Sequence, residues 1–222
     1  YNPTKYMEKA SQKLGIILSY FADLNATQIS QLSGLEELYK TWNQKINVIS
    51  RKDMDELYLH HILHSLSIAT IFDDLEESKN IKIIDIGCGG GFPGIPLAIF
   101  YPNVQFYLVD SIGKKLLVVN DICEKLNINN VITKHTRVED IKNLQFDIAV
   151  SRAVAPLQDL WKWANPMLKK NTNIKINGLI SLKGGDLNAE IAALPKKVFT
   201  MPLHTIFKYD YFAEKFLLFV KK

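Results

Sequence analysis

Lys82-Ile-Ile-Asp-Ile-Gly-Cys-Gly-Gly-Gly-Phe-Pro-Gly-Ile-Pro-Leu97 decides how this chain is read. The apolar run Ile81, Ile83, Ile84 and Ile86 stops in five residues, four of them glycine, and then turns through two prolines into the apolar segment from Ile95 to Phe100. That pattern predicts a strand, a tight turn and the start of a helix. Glycine lets a backbone turn this sharply while a ligand lies against it. About 20 residues further on, a second apolar run ends in an acid, Phe106-Tyr-Leu-Val-Asp110, where a carboxylate can hold two ribose hydroxyls. Together the two stretches predict a nucleoside-cofactor site.

The phasing of the glycines selects among cofactors. Gly89, Gly91 and Gly94 contain a dinucleotide-type pattern, whereas reading from Asp85 gives Asp-x-Gly-x-Gly-x-Gly over Asp85, Gly87, Gly89 and Gly91. A dinucleotide needs a free helix N-terminus whose amides face a pyrophosphate, and Pro93 and Pro96 remove two such donors. Asp85 would repel phosphate but suits an ammonium group. S-adenosyl-L-methionine, with a sulfonium and an amine and no phosphate, fits better than a nicotinamide cofactor. The bland alternative is a glycine-rich turn with no ligand.

Outside this stretch, 222 residues with 47% hydrophobic content suffice for one sizeable core and at most a small accessory domain. No apolar run approaches the ~20 residues of a membrane span. Tyr1-Asn-Pro-Thr-Lys5 lacks an initiator methionine and a signal-peptide core, which predicts a trimmed N-terminus. Cys88 and Cys123 offer neither a disulfide framework nor zinc spacing, which predicts a cytoplasmic protein. A net charge of +4 permits a nucleic-acid partner without demanding one. Of 27 basic residues only Arg51, Arg137 and Arg152 are arginine, and arginine persists where a planar fork of donors is hard to replace.

Residues 1–78 predict a helical cap. Tyr6, Ile16, Ile17, Tyr20 and Phe21, then Leu32, Leu35, Leu38, Tyr39 and Trp42, recur at three- and four-residue spacings. Thr27 and Asp53 are the expected N-caps, and a third helix is expected from Asp53 to Phe72, ended by the acidic linker Asp73–Asn80. Residues 79–222 form the second expected domain. Its strands are Ile81–Ile86, Val104–Asp110, Val131–His135, Phe146–Ser151 and Leu179–Lys183, separated by helices that include Lys114–Leu126 and Pro156–Leu168. Continuous apolar strands alternating with helices predict a parallel sheet covered on both faces. Val198–Phe207 and Phe216–Val220, joined by a short polar turn, are expected to add an antiparallel edge hairpin, giving seven strands.

Such sheets bind ligands beyond the carboxyl ends of their strands. Asp85, Gly87, Asp110, Arg137-Val138-Glu139, Ser151-Arg152 and Lys183 all fall there, and Val138 and Glu139 could meet an adenine edge. His60 and His64 share a helical face at metal-ligand spacing, but no third ligand is recognisable, so a packed face is expected and no metal. Trp161 and Trp163 read as core or interface. No Asn/Asp-Pro-Pro-aromatic element follows the fourth strand to orient an exocyclic amine, and no cysteine is placed to attack a pyrimidine. A target with an available lone pair, such as guanine N7, needs neither.

Asn47-Val-Ile-Ser-Arg51, His61-Ile-Leu63, the loop from Asp85 to Pro96, Val109-Asp-Ser111, Gly113-Lys114, Arg137-Val-Glu139, Ser151-Arg-Ala153 and Leu182-Lys-Gly184 resemble the glucose-inhibited division protein B family, bacterial 16S ribosomal RNA guanine-N7 methyltransferases. The resemblance implies a class I, Rossmann-like methyltransferase fold and S-adenosyl-L-methionine as donor. It implies one guanine of 16S rRNA as target, in the 30S subunit or its precursor; a monomer with no membrane association is expected. By matched motif, Gly87, Phe92, Val138, Glu139 and Arg152 are expected to contact the cofactor, with Asp110 on the ribose; Asp85 and Gly89 are expected there from the phasing of the glycines. Arg51, His61, Lys114, Arg137 and Lys183 are expected on the RNA or catalytic face. Two other classes stay open: a methyltransferase of a small molecule, tRNA or protein, and a non-catalytic ribosome-assembly factor.

Overall fold

The computed structural model describes residues 13–72, 75, 80–170 and 174–222. Tyr1–Lys5, Tyr6, most of the acidic linker and the junction between residues 78 and 79 lie outside the described residues. Seven strands form one sheet: β1 (Lys82–Ile86), β2 (Gln105–Asp110), β3 (Val131–His135), β4 (Ile148–Arg152), β5 (Gly178–Gly184), β6 (Val198–Pro202) and β7 (Lys215–Lys221). Their order across the sheet is β3-β2-β1-β4-β5-β7-β6. The first five are parallel, and β7 runs antiparallel to both β5 and β6. The chain steps outward from β1 in one direction, then returns to lay β4 on its other side. This reversal is the switch point where open sheets leave a crevice at their carboxyl ends.

Alternation along each strand builds two cores. Ile83, Phe106, Leu108 and Val150 face one side, packed with helix α2 (Gly94–Phe100), helix α3 (Gly113–Lys125) and the N-terminal helices. Ile84, Ile86, Val109 and Ala149 face the other, against helix α4 (Leu157–Met167). Leu32, Leu35 and Tyr39, on helix α1 (Ala26–Asn43), belong to the first cluster, as the three- and four-residue spacing predicted. Among the described residues, no helix is long and apolar enough to cross a membrane.

Three local expectations are corrected. The N-cap of α1 is Asn25, not Thr27: Asn25 accepts from the Gln28 amide at 3.0 Å and Gln28 returns the bond to the Asn25 amide at 2.9 Å, a reciprocal box. Asp53 caps no helix. Its carboxylate takes the Ser50 hydroxyl and His60, and the following helix begins only at Leu57. That helix is not uniform either, running as a π-helix over Leu57–Leu63, an α-turn over His64–Leu66 and a 3-10 helix over Ser67–Ile71. Finally, the edge strand stops at Pro202, and the link to β7 is not a polar turn. Leu203, Phe207 and Phe212 turn inward and are fully buried, with Phe207 edge-on to Tyr20 at 4.8 Å.

Candidate functional site

The glycine turn after β1 is held from two sides. Asp110, at the end of β2, accepts from the Gly89 amide and from the Ile112 amide, each at 2.8 Å. Each of its oxygens keeps acceptor capacity for a ribose hydroxyl. Asp85, fully buried beneath the turn, accepts from the Gly94 amide at 2.8 Å, while its Oδ1 has no partner among the described residues. Burial is the main reason its pKa is pushed up to about 7. At the start of α2 the Ile95 amide bonds to Gly91 O at 2.7 Å and Pro96 has none to give. The first helical amides are therefore consumed, and no pyrophosphate cradle remains.

Two adjoining hollows open at the carboxyl ends of β1, β2 and β4. The larger, about 390 Å³, is lined by Gly87, Gly89, Phe92, Asp110 and Arg152 together with Val48, Lys115 and Val154. The smaller, about 190 Å³, is lined by Gly87, Asp110, Arg137, Val138, Glu139, Val154 and Trp163. They share Gly87, Asp110, Ser111 and Val154. The shape suits a ligand with a nucleoside half and a second polar half. A more voluminous hollow, about 590 Å³, lies at the opposite ends of the strands among Asn and Gln side chains. It lies away from the glycine turn and from the acids and arginines at the strand ends, so the chemistry points to the carboxyl-end pair.

Phe92 is the hub of the larger hollow. Tyr39 stacks on its ring at 4.9 Å, the Arg152 guanidinium lies 5.1 Å from its centre and His61 lies at 5.0 Å. Tyr39 also donates to Gly90 O at 2.7 Å, tying α1 to the glycine turn. Arg152 spends two donors on the π-helix, at His60 O (3.2 Å) and at His61 Nδ1 (2.8 Å). A guanidinium only donates, so His61 accepts at Nδ1 and carries its proton on Nε2. Burial first, and the Arg152 charge second, lower the His61 pKa to about 3. His61 is thus a neutral imidazole. His64 contacts Tyr211 Oη through Nδ1 at 3.0 Å, and Tyr211 in turn donates to His60 O at 3.1 Å.

The structure gathers Gly87, Gly89, Phe92, Asp110, Arg137, Val138, Glu139 and Arg152 around the paired hollows, with His61 one contact behind. Asp85 lies under the turn rather than on the wall. Arg51 is exposed on the turn pinned by Ser50, Asp53 and His60, and Lys114 is exposed on the first turn of α3. Lys183 is buried, its ammonium donating to Ala155 O at 2.6 Å and pairing with Glu190. Val48, Lys115, Val154 and Trp163 also line the hollows, and the sequence reading did not place them there. Trp163 carried a helical-core signature, and its other face does pack on the second core.

The sheet order, the glycine turn at the switch point and the paired hollows define a Rossmann-like methyltransferase fold. Two solved structures share it: ribosomal protein L11 methylase from Lactobacillus delbrueckii subsp. bulgaricus (TM-score 0.51, 13% identity, 72% of this chain and 76% of that one) and a mutant of MtNAS in complex with S-adenosylmethionine (TM-score 0.53, 14% identity, 89% and 78%). At the level of sequence, the family model for rRNA small subunit methyltransferase G matches residues 28–209. The chain belongs to that family. Relatives called ribosomal RNA small subunit methyltransferase G are 46% identical over 92% of this chain and 97% of theirs in Phocaeicola vulgatus. In Bacteroides thetaiotaomicron the figures are 47%, 90% and 96%.

Proposed function

We propose that this protein transfers the methyl group of S-adenosyl-L-methionine to N7 of a guanine in 16S rRNA, acting on the 30S subunit or its precursor, in the cytoplasm, as a monomer and without a metal. The observation that carries this reading is the pair of joined hollows above a glycine turn whose helical amides are already bonded, a site shaped for a nucleoside and closed to pyrophosphate. Family membership supports the rRNA substrate.

The bound cofactor supplies an electrophilic methyl on a sulfonium. Asp110 would hold the ribose, Val138 and Glu139 would meet the adenine edge beside Trp163, and Gly87 and Gly89 would let the ligand approach the backbone. Phe92 and Arg152 line the methionine half. Asp85 braces the turn from beneath through the Gly94 amide. Guanine N7 carries a lone pair and no proton, so the attack needs no base. The neutral His61 accords with that, because it offers no proton-accepting step of its own at physiological pH. Catalysis is then alignment of nucleophile, methyl and sulfur, with fixed dipoles opposing the developing charge. Transfer would form the N–C bond as the S–C bond breaks and leave the positive charge on the purine, so the residues around the hollows need only hold the two reactants in line. Arg51, Arg137 and Lys114 steer phosphate or the target base. The cap of residues 1–78 carries Arg51 and His61, and residues 79–222 hold the donor.

Labelled S-adenosylmethionine should be offered with 30S particles, free 16S rRNA, total tRNA and bulk protein. Label in 16S rRNA at a guanine that aniline cleavage marks as N7-methylated is the expected result. Label confined to tRNA or protein would overturn the substrate, and no transfer to any of them would overturn the activity.

A further inference from the structure

Lys183, buried, and Glu190, partly buried, make a clamp behind the wall that divides the two hollows. Lys183 is 9% exposed, donates to Ala155 O at 2.6 Å and pairs with Glu190. Glu190 accepts from the Leu157 amide at 2.5 Å. Leu157 opens α4, whose N-cap residue Pro156 has no capping side chain, so Glu190 satisfies a helix-end donor from another element. Ala153, just upstream, is held at φ 51, a left-handed conformation that alanine seldom adopts. Its amide bonds to Leu182 O at 3.2 Å. One end of segment 153–157 is therefore fixed by the backbone of β5 and the other by the Lys183 side chain and its partner. Strained residues persist only where neighbours over-determine them.

Between the fixed points stands Val154, 44% exposed and on the wall of both hollows. It lies so close to Gly87 that a Cβ there would come within 2.6 Å of its Cγ1. Resting on the donor-site reading above, we propose that Lys183 and Glu190 are positioning residues that set Val154 as the partition between the nucleoside and methionine halves of the donor site, and that Lys183 makes no contact with RNA. Its ammonium donates to a carbonyl and pairs with a carboxylate, and only 9% of the residue is exposed. Removing Glu190 leaves the Lys183 ammonium buried without its carboxylate, and removing Lys183 leaves the half-buried Glu190 without its cation, so either change loosens the segment they hold.

The test is calorimetric binding of S-adenosylmethionine, steady-state kinetics on the rRNA substrate and rRNA binding against salt. The proteins are wild type, Lys183→Met, Glu190→Gln, Val154→Ala and the double variant Val154→Ala/Glu190→Gln. Each single variant should weaken donor binding by about tenfold and raise the donor KM with kcat largely kept. The double variant should lose no more than either parent, since a misplaced partition cannot be lost twice. The salt slope of rRNA binding should match wild type in Lys183→Met, because no phosphate contact is removed. A smaller slope with unchanged donor affinity would make Lys183 an RNA contact and overturn the inference. So would wild-type donor affinity in Val154→Ala, a solvent-exposed truncation that leaves folding intact should the clamp variants fail to fold. A wild-type protein that binds no S-adenosylmethionine would overturn the donor reading itself, and this inference with it.

Discussion

Asp85 shows how one buried carboxylate couples fold, ligand and pH. Its ordinary value of 3.8 rises to about 7, first because burial disfavours the anion and only partly opposed by the Gly94 amide and the Arg152 charge. A raised folded-state value means that the group's stabilising contribution is complete below 3.8 and is lost as pH climbs through about 7. The difference of about three pH units corresponds to roughly 4 kcal/mol at most. His61, lowered to about 3, acts in the opposite sense and adds stability as pH rises toward 6.5, so Asp85→Asn should make stability rise more steeply with pH between 3.8 and about 7; urea unfolding at a series of pH values measures it. An unchanged slope in the variant would show that another group sets the pH dependence. The same residue scale explains the histidines. Arg152 and Tyr211, through the direction of their hydrogen bonds, hold His61 and His64 in opposite tautomers, and burial keeps both neutral.

At the scale of elements, the ends of helices carry much of the specification. Asn25 and Gln28 close the start of α1, and the Gln28 amide then reaches Ile99 O at 3.1 Å and Phe100 O at 2.9 Å, joining the cap of α1 to the end of α2. Asn25→Ala should cost about 1 kcal/mol, read as a lower thermal midpoint, whereas Thr27→Ala should cost much less. Equal losses would mean that the box is not the operative cap. The π-helix over Leu57–Leu63 presents the His60 carbonyl to Arg152 and Tyr211 together. Widened turns of this kind recur at functional sites because they free backbone groups that an α-helix would consume.

Across the whole molecule, the N-terminal helices and the sheet share one core. Leu32, Leu35, Tyr39 and Ile62 lie in the same apolar cluster as Phe106, Leu108 and Ile180. Trp42 donates to Asp121 on α3 at 2.6 Å, and Tyr58 donates to Leu32 O at 2.9 Å. An element that buries its apolar stripe only against another has little stability alone. Unfolding followed by far-ultraviolet dichroism and by tryptophan fluorescence should therefore give one coincident transition. Two separated transitions would show that the helical part and the sheet fold independently.

Much of this architecture was legible along the chain. The run from Lys82 to Leu97 announced strand, turn and helix because glycine, proline and alternating isoleucine act on neighbouring residues, and the strand ends collected the acids and arginines of the hollows. Local rules failed at the start of α1, where Asn25 is as good a cap as Thr27, and after Pro202, where the buried Phe207 left the expected strand and the buried Phe212 filled the expected polar turn. They were silent on Val48, Lys115 and Trp163, whose place on the wall depends on segments remote in sequence. Lys183 marks the division most sharply. Its position at the end of β5 was readable from the sequence, and the family resemblance pointed it at the RNA or catalytic face. Only the packing of 188–192 against 155–157 gave it a carboxylate partner and turned it inward. Backbone preference and apolar alternation are written in contiguous residues, whereas the partner of a charged side chain is decided by which distant segment the core brings beside it.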